Sequence, residues 1–300
     1  MRPAWATALV LSACVPIEQM ETDGGVDADL TETLSARGLD APACRGAPAP
    51  IDIDGVWMTR FETASVVTGA FPRAQAEVVT RYGLATICTD SDEVTVEMLT
   101  CVLGQSPIAD VNRRCAAQMP GAAMLPSLDP VVLHGTLSTL GPDATLILQG
   151  WEERWGLEAG AAVPREPAGA AVDNAAGVFD ADADGDLGVT LRGDGTAGEV
   201  SFAVRRTRAE FVLEYKEVRL LAGRMSSTTE QAILGGPNAA ALRGRTRAGA
   251  SAVIAFVRGD GRNGAPRIDR DSDGRVDCAE LAPFIGPVLG PPTDPGACRR

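Results

Sequence analysis

Histidine, lysine and aromatic side chains are scarce in this chain of 300 residues, and each scarcity removes a class of chemistry. The single histidine, His134, excludes a multi-histidine zinc site. It lies in the strand-like run Val131-Val132-Leu133-His134-Gly135-Thr136-Leu137, where a partly buried structural histidine is expected and not the base of a Ser-His-Asp triad. Neither a Gly-x-Ser-x-Gly elbow nor a glycine loop for phosphate or dinucleotide is present, and no pair among the many carboxylates singles itself out for glycosidic chemistry. The sequence therefore reads as that of a non-enzyme. Lysine occurs once, at Lys216, and 27 basic residues face 40 acidic ones. That acidity argues against a nucleic-acid partner and suits solubility and cation binding. Phe, Trp and Tyr make up 4% of the residues, few for an aromatic recognition surface.

No apolar run approaches the roughly 20 residues that a membrane-spanning helix needs. A shorter run opens the chain: Met1-Arg2-Pro3 is a charged start, Ala4 to Val10 is apolar, and Leu11-Ser12-Ala13-Cys14 resembles the lipobox of bacterial lipoproteins. The resemblance implies a signal peptide over residues 1–13 and acylation of Cys14 as the first mature residue, with a membrane partner reached through the lipid anchor. Val15 in place of Asp implies, by the sorting rule of Gram-negative lipoproteins, an outer-membrane address in the bacterial cell envelope. Residues 14–50 carry Glu18, Glu21, Asp23, Asp27, Asp29 and Glu32 with no sustained apolar period, and read as an acidic, disordered tether. Residues 51–300 have no clear internal linker and read as one domain.

Apart from Cys14 the cysteines are Cys44, Cys88, Cys101, Cys115, Cys278 and Cys298, an even set. In an oxidising compartment they form up to three disulfides, with the pairing open. One pair is disfavoured. With Thr89 to Glu93 as the turn between strands Arg81–Cys88 and Val94–Val102, Cys88 falls near Val94 and Cys101 near Arg81, beyond disulfide reach of each other. Zinc is not expected, because no Cys-x-x-Cys occurs.

The body alternates with period two. Val94, Val96 and Met98 are separated by Thr95 and Glu97, while Val200, Phe202 and Val204 alternate with Ser201, Ala203 and Arg205; Phe211, Leu213 and Tyr215 continue the pattern. Further strands are expected over Val56–Val67, Gln75–Cys88, Val131–Thr139, Thr145–Trp151, Gly188–Arg192, Val218–Arg224, Glu230–Leu234 and Ser251–Val257, and one helix over Ile108 to Gln118. The expected fold is all-β, an antiparallel barrel or sandwich of about ten strands. Gly55-Val56-Trp57 at the first strand resembles the Gly-x-Trp signature of lipocalins, which implies an eight-stranded barrel that carries a small apolar ligand. The arrangement is also similar to that of bacterial envelope lipoproteins with an Asp-rich turn before a Gly-Val-Thr strand, a resemblance that implies no activity.

The most informative segment is Asp269-Arg270-Asp271-Ser272-Asp273-Gly274-Arg275-Val276-Asp277-Cys278-Ala279-Glu280. It resembles the calcium loop of an EF-hand: Asp269, Asp271 and Asp273 at positions one, three and five, Gly274 at the turn, the Arg275 carbonyl at seven, Asp277 at nine and the closing carboxylate Glu280 at twelve. Breakers precede it and Pro283 follows, so it has none of the paired helices of a sensor and is closer to the isolated loops of dockerins. A structural calcium ion is expected. A second turn, Asp180-Ala181-Asp182-Ala183-Asp184-Gly185-Asp186, repeats the first half, but its position twelve is Leu191; Asp173 or Asp194 would have to complete it. These features indicate a calcium-stabilised envelope module with an unknown envelope partner. The alternative is a lipocalin-like carrier with an open apolar cavity.

Overall fold

The computed structural model describes residues 34, 36–47, 49, 51–68, 75–105, 108–109, 115–116, 119–120, 122–138, 144–166, 176–192, 200–237, 239–250 and 252–292. The signal segment 1–13, Cys14, Asp173, Asp194 and Cys298 lie outside the described residues, as does the side chain of Cys115.

The strands are β1 (Gly38–Asp40), β2 (Gly55–Thr68), β3 (Gln75–Asp90), β4 (Glu93–Gln105), β5 (Ile108–Ala109), β6 (Cys115–Ala116), β7 (Met119–Pro120), β8 (Val131–Leu137), β9 (Thr145–Trp155), β10 (Val189–Arg192), β11 (Val200–Glu217), β12 (Leu220–Gly235), β13 (Thr246–Ala250), β14 (Ala252–Arg258) and β15 (Arg275–Asp277). β2, β3, β4, β8, β9, β11 and β12 pair antiparallel in chain order. β14 pairs with both β12 and β2, and β13 continues that stave along β2. The ring is closed, and of the two expected forms the fold is a barrel: eight staves, up and down, with no open edge in the ring.

Inside, two kinds of layer share the axis. Near the β3–β4 and β11–β12 turns the core is apolar, with Trp57, Ile87, Val96, Leu148, Leu213 and Phe256 buried together. Phe61, Trp151 and Phe211 form an edge-to-face trio with centroids 5.1, 5.8 and 6.2 Å apart. Arg81 lies over Phe61 and Trp151 and makes a buried fork to Glu153, Nε to Oε2 at 2.9 Å and Nη2 to Oε1 at 2.6 Å. Beyond it Glu77 accepts from Arg205 at 3.1 Å and from Arg247 at 2.9 Å, while Arg205 stacks on Trp155. Burial alone would raise the Glu77 carboxyl, but the two guanidiniums outweigh it and hold the pKa at about 2. Burial lowers Arg205 to about 10, against the pull of Glu77, so it stays charged at neutral pH.

This charged layer explains where the sequence pattern misled. β12 is one strand, although it was expected as two, because Ser227 and Thr229 are buried mid-strand and replace the apolar period. In β11 the buried odd positions Ala203, Arg205, Thr207, Ala209, Phe211 and Leu213 form a single inner face, and Val204 packs outside with Leu157, Ala232 and Leu234. The expected run Val200, Phe202 and Val204 therefore belongs to the other face from Phe211 and Leu213. The β3–β4 turn is tighter than expected, by two residues on the β3 side and one on the β4 side, since Asp90 pairs with Glu93, which sets Cys88 opposite Thr95. Cys101 falls at a β-bulge between the pairs Tyr82↔Val102 and Gly83↔Thr100. Glycine is needed there, because a Cβ at Gly83 would stand 2.1 Å from the Leu99 carbonyl oxygen. The expected helix over Ile108 to Gln118 is replaced by a ladder in which Ile108 pairs with Ala116 and Ala109 with Cys115. An isolated helix of about three turns is marginal without packing, and pairing as strands satisfies the backbone instead.

Candidate metal centre

The chain beyond β14 folds over the outer surface of β2, β3 and β4. Leu39, Ile268, Val276, Leu281 and Leu289 bury against Val56, Met58, Tyr82, Leu84 and Leu99, and the Tyr82 hydroxyl donates to the Gly290 carbonyl at 2.7 Å. The acidic loop sits on this platform with both ends fastened. Ile268, fully buried, donates its N–H to the Gly259 carbonyl, and Cys278 is joined by a disulfide to Cys101 on β4.

Between these ends the carboxylates of Asp269, Asp271 and Asp273 converge, their ligand atoms all within 4.8 Å of one another. Gly274 supplies the positive φ, +86°, on which the turn depends. Asp271 Oδ1 accepts from the Asp273 N–H at 3.2 Å, and Asp273 Oδ1 from the Arg275 N–H at 2.7 Å. Glu280 reaches back across the loop: its Oε1 accepts from the Arg270 N–H at 2.6 Å and its Oε2 from the Asp277 N–H at 3.2 Å. Each of these oxygens keeps a further lone pair. Asp277 caps the helix Cys278–Leu281 by accepting from the Glu280 N–H, so the side chains of Asp277 and Glu280 form a reciprocal capping box, and neither is among the three converging carboxylates.

The Arg275 carbonyl is placed by the β1–β15 ladder. Bonds run from the Ala41 N–H to the Gly274 carbonyl and from the Cys278 N–H to the Arg37 carbonyl, both 2.8 Å. Antiparallel alternation then puts the reciprocal pair at Leu39 and Val276 and turns the Arg275 carbonyl away from β1. Its own N–H, on the same side of the strand, donates to Asp273, so the carbonyl faces the carboxylates. The fit to a cation rests on one atom above all. Asp269 Oδ1 is buried and has no hydrogen-bond donor. Its other oxygen, Oδ2, accepts from Arg267 Nη2 at 3.5 Å, and a hard cation with oxygen ligands would satisfy the oxygen left over.

The second acidic turn is partly similar. Asp180, Asp182 and Asp184 converge within 4.8 Å. Asp186 is not among them, and Leu191, at position twelve, is buried in the core instead of closing the turn. Asp180 accepts from the Gly185 N–H at 2.8 Å and the Asp184 N–H at 3.3 Å; burial tends to raise its pKa, but the backbone hydrogen bonds together outweigh it and lower the pKa. Burial raises that of Asp182, helped by Asp184 and Asp180 and opposed by the Thr190 N–H. The Thr190 hydroxyl donates to Asp184.

Among the described residues the disulfides are Cys44–Cys88 and Cys101–Cys278, with Cα atoms 5.2 and 5.3 Å apart, so Cys88 and Cys101 are not partners, as expected. His134 is exposed, with Nδ1 3.5 Å from the Thr95 hydroxyl, where a partly buried histidine was expected. Sequence reasoning missed β1. It lies in the stretch expected as tether, where a three-residue strand leaves no periodic signal, yet residues 36–41 bond the loop and Cys44 is fixed to β3. Among known proteins the chain matches no family model, no curated protein and no solved structure.

Proposed function

We propose that the chain is a non-catalytic lipoprotein of the bacterial cell envelope, held at the outer membrane through Cys14, whose barrel is a structural or interaction module stabilised by calcium in the Asp269–Glu280 loop. The carrying observation is the buried, donorless Asp269 Oδ1 within a cluster of three converging aspartates. Asp269, Asp271, Asp273, the Arg275 carbonyl and Glu280 would hold the ion, with Asp277 acting through water. Calcium supplies charge neutralisation and no reaction step. Both loop ends are fastened to the barrel, which suits stabilisation in place over the helix reorientation of a sensor. Calorimetric titration of chelator-stripped protein should give one saturable calcium heat, weakened more by Glu280→Gln than by Asp277→Asn. No calcium heat, with an unfolding midpoint indifferent to calcium, would remove the reading. Clickable fatty-acid labelling tests the anchor: wild type should label and Cys14→Ser should not.

The second reading, a lipocalin-like carrier, is favoured by the closed ring of eight staves with Gly55-Val56-Trp57 at its first strand. The interior counts against it, since Trp57, Arg81, Trp155, Arg205 and Phe211 are fully buried across the axis. A groove of about 570 Å³ lies along β9, β11 and β12, with a mixed lining in which Trp151 and Ala209 stand beside Glu152, Arg208, Glu210 and Ser226. Native mass spectrometry of protein incubated with mixed fatty acids decides: a stoichiometric adduct supports the carrier.

A further inference from the structure

β1 and β15 are three residues each, far too short to persist as an isolated ribbon. Their pairing therefore depends on what fixes the loop that β15 continues. Residues 36–41 are given over to this contact. The ladder bonds run at either end from Ala41 to Gly274 and from Cys278 to Arg37, Arg275 Nη2 donates to the Ala36 carbonyl at 2.9 Å, and Leu39 is buried against Val276.

We infer that β1 is a working part of the calcium centre: it sets the direction of the Arg275 carbonyl, so ion affinity and the fastening of residues 38–41 rise and fall together. This rests on the calcium reading of the loop. Ile268 and the Cys101–Cys278 disulfide hold the loop ends whether or not the ion is bound, which confines the ion's influence to 269–277 and to the strand paired with them. Arg37 donates from its side chain to the Thr100 and Leu128 carbonyls, and Cys44 is bonded to Cys88, so the stretch that responds is the one between these two anchors. Coupling of this kind is reciprocal: whatever the ion adds to the closure of β1, the closure of β1 adds to the binding of the ion. The stretch expected as passive tether thus reaches into the metal centre, and a pull on the N-terminal segment that unzips β1 weakens calcium binding.

Amide hydrogen exchange of the mature protein in calcium and in a calcium chelator tests this, together with calcium titration of wild type and Leu39→Ser. With calcium a hundredfold above its dissociation constant, exchange at Leu39 and Ala41, whose N–H groups face β15 in the ladder, slows about a hundredfold through an opening that releases the ion, while barrel amides are unchanged. Leu39→Ser, its barrel amides still protected, should raise the calcium dissociation constant about tenfold. Calcium bound by wild type without added protection at Leu39 and Ala41, or bound equally well by Leu39→Ser, overturns the inference and leaves the calcium reading standing. No binding by wild type removes both.

Discussion

Glu77→Gln isolates the charged layer inside the barrel. Glu77 is the shared counter-charge of Arg205 and Arg247, and removing it leaves two guanidiniums, 2% and 6% exposed, without a carboxylate. Breaking a buried pair from one side costs about 3–5 kcal/mol. The pKa gives a second route to the same magnitude. Glu77 titrates at about 2 in the folded protein against 4.5 ordinarily, so the folded state prefers the charged form by about 3 kcal/mol. Because the folded pKa is the depressed one, this stability is fully present above pH 4.5 and is lost as pH falls toward 2. Urea unfolding of wild type and variant from pH 7 to pH 2.5 reads both effects. The variant should be less stable by about 3 kcal/mol at pH 7, and the gap should narrow steadily below pH 4.5. A variant within about 1 kcal/mol of wild type at pH 7, or a gap that ignores pH, refutes the reasoning.

Arg81→Met should cost about 3–5 kcal/mol by stranding Glu153, whereas Arg81→Met with Glu153→Leu should recover most of the loss; a double-mutant cycle by chemical denaturation measures it. Trp151→Ala should cost about 3–5 kcal/mol in thermal unfolding, because it opens the aromatic trio at the barrel centre. Non-reducing peptide mapping should recover Cys44–Cys88 and Cys101–Cys278, and loss of the second bridge through Cys101→Ser should lower stability by about 2–5 kcal/mol.

Strand existence was legible wherever the inner face is apolar, as in β4 with Val94, Val96 and Met98. It was illegible where the barrel turns charged inside. Arg205 and Thr207 in β11, Ser227 and Thr229 in β12 and Arg247 in β13 occupy buried or nearly buried positions with the polarity of surface residues. Period-two hydrophobicity cannot register them. Barrel closure was beyond reach for a different reason, since the pairings of β14 with β12 and β2 depend on strand curvature and not on any local pattern. In the candidate metal centre, spacing alone located Asp269, Asp271 and Asp273 and the reach of Glu280 back across the loop. It did not show that Asp277 would be engaged as a helix cap, nor that β1 would aim the Arg275 carbonyl, because both follow from chain packing outside the twelve residues.

The central claim, that the Asp269–Glu280 loop holds calcium, is tested most directly by a crystal structure of the mature protein grown in calcium, with anomalous data collected at long wavelength. The account requires one anomalous peak about 2.3–2.6 Å from oxygens of Asp269, Asp271, Asp273, the Arg275 carbonyl and Glu280. Well-ordered density for the loop with no such peak at millimolar calcium would contradict it.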